Sequence, residues 1–223
     1  MDRFIPSRVA LVLLTLITPI NNCGTAERRL QKSEIPIEVN LDATAWRLDS
    51  RSERPPLWDG NVSYNDIFFQ ACEEWNKHLK GIQLRPYAGN NSTGGEKANG
   101  KNQVFFADNF YGESFEVLAR CYITGPIEGD ILINSNYAWN SYEKGLEFRK
   151  LDSEHWEWVY NLRNTFLHEI GHILGLPHPD EDGKPVSSIM NATGDERFIL
   201  AAPTEYDISK VREISTKVRT ILA

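Results

Sequence analysis

Cysteine is scarce in this chain of 223 residues, with only Cys23, Cys72 and Cys121. Three cysteines at wide spacing exclude the disulfide-built miniature scaffold. Basic charge is also short: 24 Lys and Arg stand against 31 Asp and Glu, a net charge of -7. A nucleic-acid partner needs a basic surface, so that class is set aside. Beyond the N-terminus there is no run of 18 apolar residues, and therefore no expected membrane-spanning helix. Internal repeats and low-complexity segments are lacking too. What remains, 41% hydrophobic and 25% charged residues, is the composition of a soluble globular protein of one ordinary domain or two small ones.

The first two dozen residues read differently. Arg3 and Arg8 precede an apolar run from Val9 to Ile17, and Pro19 and polar residues follow. A positive flank and a short apolar core describe an export signal, which places the protein in a secreted or cell-surface setting. Two processing routes stay open. Small residues at Gly24-Thr25-Ala26 suit cleavage before Glu27, whereas Ile20-Asn21-Asn22-Cys23 resembles a loose bacterial lipobox with Cys23 as a lipid anchor. Residues 1–26 are thus read as signal, 27–34 as linker and 35–223 as one catalytic domain.

Along that domain, Ile35 to Leu41 alternates apolar and polar positions as a half-buried strand does. Ser63 opens a helix with Asp66 three residues on, and Phe68, Cys72, Trp75 and Leu79 line one face until Gly81. Strands are expected at 82–87, 104–107, 117–122 and 130–134. A second long helix is expected from about Ser153 to Leu174, with Val159, Leu162, Phe166, Ile170 and Ile173 as its buried stripe. A last helix runs from Glu205 to about Leu222, capped by Thr204. Strands with few long helices imply a helix-covered sheet, an α/β fold.

The chemistry sits at the end of the second helix, in HEIGHILGLPH from His168 to His178. Residues four apart share a helix face, so His168 and His172 can point both imidazoles at one ion. Gly175 ends the helix and Pro177 forbids its continuation, which steers His178 back toward the metal. Three protein ligands leave a fourth position for water, the mark of a catalytic zinc. Glu169, next to the first ligand, can take a proton from that water. The pattern arises by chance in roughly one such chain in a hundred thousand, so accidental histidines on an ordinary helix are a poor account of it.

These eleven residues match the long zinc motif of the metzincins, and Ser188-Ile189-Met190 resembles their Met-turn, with Met190 as its methionine. The wider chain is most similar to the matrixins. Trp75 within CEEWNKHLKGIQL resembles the end of their first helix. Val117-Leu118-Ala119-Arg120-Cys121-Tyr122 resembles their substrate-binding edge strand, Gly129-Asp130-ILIN their next strand, and Thr204-Glu205-Tyr206-Asp207-Ile208 the start of their last helix. The resemblance implies a twisted, mostly parallel sheet of about five strands, two long helices, a zinc cleft, and a smaller C-terminal subdomain with Met-turn and terminal helix. It further implies an endopeptidase that cleaves protein or peptide substrates.

Departures shape the remaining expectations. Matrixins bind a second zinc through histidines where this chain has Arg120 and Leu132, so one zinc per chain is expected. NATGDERF after Met190 lacks the Pro-x-Tyr wall of the matrixin specificity pocket, so matrixin side-chain preferences do not carry over. Asp180, Glu181 and Asp182 offer calcium an acidic run without regular ligand spacing, and a solvated turn is the favoured reading. Cys72 and Cys121 are expected to form a disulfide that ties the first helix to the edge strand, the alternative being two small buried hydrophobes, in a monomer. His78 and His155 are ordinary surface or capping residues. The rival from another class is a non-catalytic, zinc-containing surface binding protein. Its structural site would have no use for Glu169.

Overall fold

The computed structural model describes residues 34–45, 63–111, 117–124, 128–140, 147–150, 156–183, 186–192, 200 and 202–222. The signal segment with Cys23, nearly all of the 27–34 linker and His155 lie outside the described residues. A five-stranded sheet is the centre of the fold, made of β1 (Glu34–Val39), β2 (Gln83–Ala88), β3 (Gln103–Ala107), β4 (Ala119–Thr124) and β5 (Glu128–Asn134). Its order is β2-β1-β3-β5-β4. The pairings are parallel except for β4, which runs antiparallel to β5 with Arg120 opposite Leu132. The central strands are buried on both faces, as parallel strands under a helix layer must be.

Alternation along those strands divides the core in two. Val104, Phe106, Ile131, Ile133, Ala119 and Cys121 face the helices and join the main cluster. Phe105, Ala107, Phe110, Val117 and Leu132 form a smaller cluster with Tyr111 and Tyr122 packed on it. Arg120 lies over the Tyr122 ring, 5.5 Å from its centroid, and donates to its hydroxyl at 3.2 Å. Where the matrixin resemblance would put two histidines, this sheet carries a stacked arginine and a core leucine.

The helix layer consists of α2 (Tyr64–Asn76) and α3 (Leu162–Ile173), preceded by a short α1 (Leu41–Thr44) that had no clear sequence signal. Ser63 caps α2 by accepting from the Asp66 amide at 3.0 Å. α2 stops at Asn76, one turn before Leu79 and Gly81. The Asn76 side chain leaves the helix to pair with both backbone groups of Leu84, at 2.8 and 3.0 Å, and so extends the neighbouring strand. Phe68 of α2 meets Phe166 of α3 edge to face at 5.1 Å.

Two expectations need correction. The second long helix does not begin near Ser153. Residues Trp156–Asn161 form β8, flanked by β6 (Ala138–Asn140) and β7 (Glu147–Lys150) in a separate three-stranded sheet. Trp156, Trp158, Val159 and Tyr160 are aromatic or β-branched and favour a pleated surface. Asn161 then caps α3 by accepting from the Asn164 amide at 2.7 Å. Val159 therefore belongs to a strand, while Leu162, Phe166, Ile170 and Ile173 do form the buried stripe.

The disulfide between Cys72 and Cys121 is not formed, and both are buried thiols. Cys121 does face the helix layer, but the helix that packs against β4 is α3. α2, which carries Cys72, packs on β2 and on α3. Four strand spacings of about 4.8 Å separate the β2 and β4 edges. Burial pushes the Cys72 thiol pKa well up, as expected of a core thiol.

Asp130 on β5 is fully buried, accepting from the Gln103 amide at 3.1 Å and the Tyr111 hydroxyl at 3.3 Å. Burial and then the neighbouring Glu128 raise its pKa to about 7. Between its unfolded value near 4 and about 7, the folded chain keeps a proton that the unfolded chain has lost. Stability is therefore full at low pH and falls as pH rises through that window. Asp130→Asn should raise the melting temperature at pH 8 by several degrees and change it little near pH 4. Thermal melts of both proteins across that range check this.

Candidate metal centre

The last turns of α3 place His168 and His172 one above the other, and a glycine bend returns the chain to them. Gly175 adopts φ +91°, a conformation that favours glycine. The Leu176 amide donates to Gly171 and the Gly175 amide to His172, both at 2.9 Å, which is a Schellman ending. His178 then lies beside the helix. The Nε2 atoms of His168, His172 and His178 are 3.1 Å from one another in each of the three pairings. No other group of metal-binding side chains comes together among the described residues.

The outer nitrogens show which way these rings present their lone pairs. Nδ1 of His168 donates to the Ile189 carbonyl at 2.8 Å, and Nδ1 of His172 to the Leu176 carbonyl at 2.8 Å. With the proton on Nδ1, Nε2 carries a lone pair. Burial, reinforced by the neighbouring imidazoles, lowers the pKa of His168 to about 3 and that of His172 well below the usual value. Neutral imidazoles with converging lone pairs repel one another unless a cation lies between them. Tetrahedral zinc with Zn–N bonds of about 2.0–2.1 Å needs nitrogens roughly 3.3 Å apart, so the donor set fits zinc.

Glu169 completes the centre. It is fully buried, and neither carboxylate oxygen meets a hydrogen-bond partner in good geometry among the described residues. Burial raises its pKa to about 8, against the pull of the Arg120 cation and the Cys121 main-chain amide. A buried carboxyl beside three metal ligands, with its proton affinity lifted into the neutral range, is placed for proton transfer.

Below the histidines, Met190 is buried where the Met-turn was expected. A Cβ on Gly171 would run into Met190 Sδ, so the glycine in HEIGH is needed for this close approach, despite the ordinary cost of glycine inside a helix. The turn is held by Asp207 at the start of α4 (Glu205–Leu222). Its carboxylate accepts from Ser188 Oγ, from the Ile189 amide at 3.1 Å, and from Thr204 Oγ1 and amide at 2.7 and 2.8 Å. Asp207 was legible only as part of a family match. Its role emerges from contacts spanning 18 and 19 residues. Trp75 of α2 ties the other side, donating its indole N–H to the Leu167 carbonyl at 2.9 Å.

The expected edge strand is present with a later start. β4 begins at Ala119, with Val117 and Leu118 leading into it; the Leu118 carbonyl accepts from the Asn134 amide. β4 is the last strand of the sheet and packs against α3, so it borders the metal centre.

A triad of buried imidazoles behind a sheet edge, floored by a methionine turn, defines a metallopeptidase centre. The matrixin family model matches residues 60–214, and this chain belongs to the matrixin family of peptidases. No curated protein matches it significantly.

Gly171→Ala should cost about 1–3 kcal/mol, the usual penalty for overpacking a filled core. Met190→Ala in the same chain should recover part of that loss. A double-mutant cycle in chemical denaturation measures the coupling.

Proposed function

We propose that this chain is a zinc-dependent endopeptidase. The observation that carries the reading is Glu169: a fully buried carboxyl one residue from a histidine whose Nε2 converges with two others. His168, His172 and His178 would hold the ion. Zinc bound there supplies Lewis acidity that polarises a substrate carbonyl and acidifies a water molecule. A cation beside Glu169 would favour its ionised form, and the carboxylate would then take the proton from the attacking water and pass it to the departing amine nitrogen. β4 supplies an edge against which an extended substrate can align as an added strand. An open edge accepts chain on both sides of the scissile bond, which favours internal cleavage. The positive flank and short apolar run at residues 3–17 support a location outside the cytoplasm, either free or anchored through Cys23.

Glu169→Gln should keep zinc and fold but lower kcat/KM by about 10²–10⁴-fold or more. Cleavage of denatured casein or a peptide library, with and without a chelator, provides the assay. Residual activity within about tenfold of wild type would assign the base elsewhere. Metal analysis should return one zinc per chain, because a stacked arginine and a core leucine stand where a second site would need ligands.

A further inference from the structure

The acidic run Asp180-Glu181-Asp182 has no part in the chemistry described so far, and its carboxylates are engaged within the protein. The Gly183 amide closes a turn on the Asp180 carbonyl at 3.0 Å, with Gly183 at φ +72°. Asp180 Oδ1 accepts from the Ala192 amide at 2.8 Å, which ties this turn to the residues just after Met190. Glu181 points back at the metal centre, with Oε2 3.0 Å from Nδ1 of His178. The N–H does not aim straight at that oxygen, so the carboxylate faces the ring through charge and dipole more than through an aligned hydrogen bond. The His178 side chain is wholly buried, while that of Glu181 is 49% exposed.

This differs from the setting of the other two ligands, which lean on neutral carbonyl oxygens of Ile189 and Leu176. A carboxylate behind an imidazole holds the proton on the near nitrogen, orients the ring, and makes the far nitrogen a stronger donor to a cation. His178 is also the ligand that needs such support most. His168 and His172 are fixed by α3, whereas His178 follows the Gly175 bend on irregular chain.

We propose that Glu181 is a positioning residue of the metal centre: it stands behind His178, holds its Nε2 lone pair toward the other two histidines and strengthens it as a ligand. The proposal rests on the zinc reading given above. Asp180 is the anchor that keeps the turn, and hence Glu181, at this place.

The test is zinc affinity, measured by competition with a chelator of known strength, on the wild-type chain and on Glu181→Ala, Glu181→Gln and Asp182→Asn. Glu181 is half exposed, so the variants should fold, and matched melting temperatures without metal verify that. Glu181→Ala should bind zinc about 10–100-fold more weakly. Glu181→Gln keeps the length and the acceptor oxygen and should recover part of the loss. Asp182→Asn removes one charge from the same turn and should match wild type. In the cobalt-substituted proteins, Glu181→Ala should shift the visible absorption bands and Asp182→Asn should not. Wild-type affinity in Glu181→Ala, or an equal loss in Asp182→Asn, would overturn the proposal while leaving the zinc reading intact. A wild-type chain that binds no zinc would overturn both.

Discussion

Three imidazole lone pairs aimed at one point repel one another, and much of this molecule serves to hold them there. A helix alone sets only two of them. The third requires the Gly175 bend, and each ring is kept in place by what stands behind its outer nitrogen. The Ile189 carbonyl behind His168 is itself held, because the Ile189 amide donates to Asp207 at the start of α4. A carboxylate 39 positions along the chain thus helps determine the tautomer of the first ligand. Met190 fills the space beneath, and Gly171 is bare of side chain so that it can.

The sheet determines where this centre opens. α3 packs between α2 and the β4 edge, so its histidine-bearing end is carried to the last strand of the sheet. On the face of the sheet away from the helices, Arg120 and Tyr122 are stacked, Tyr122 meets Tyr111 edge to face at 5.1 Å, and Lys97 lies 5.2–5.4 Å from both rings. Cation–π contacts of this kind contribute about 0.5–2 kcal/mol each. They tie β4 to Tyr111 and Lys97 through arginine and aromatic packing, with Arg120 and Leu132 where the matrixin resemblance would put histidines.

What could be read in advance divides by the range of the interaction. The zinc ligands, the helix end at Gly175 and the cap at Ser63 were legible because each depends on residues within about ten positions. The Met-turn was legible only through family likeness, since nothing local marks a methionine after two serines. The start of α3 was misplaced because Val159 satisfies a helical spacing and a strand alternation equally well. Only pairing of Trp156–Asn161 with two other strands decides between them. The disulfide failed for a related reason. Alternation correctly turned Cys121 toward the helices, but the choice of helix depends on sheet order, and sheet order is a property of the whole chain.

The same separation of ranges bears on how the centre is assembled. Its ligands come from one helix and the bend after it, yet the groups that aim them come from α2 through Trp75, from the Met-turn and from α4 through Asp207. Each of these reaches the site only when the layers are packed. An ion that binds the converged histidines, and not the unfolded chain, stabilises that packing as a whole by mass action. Without it, three inward lone pairs and the buried Glu169 carboxyl oppose the same arrangement. A bound ion and this packing therefore stabilise each other, and the cost of gathering three buried imidazoles is offset in part by the ion those three would share.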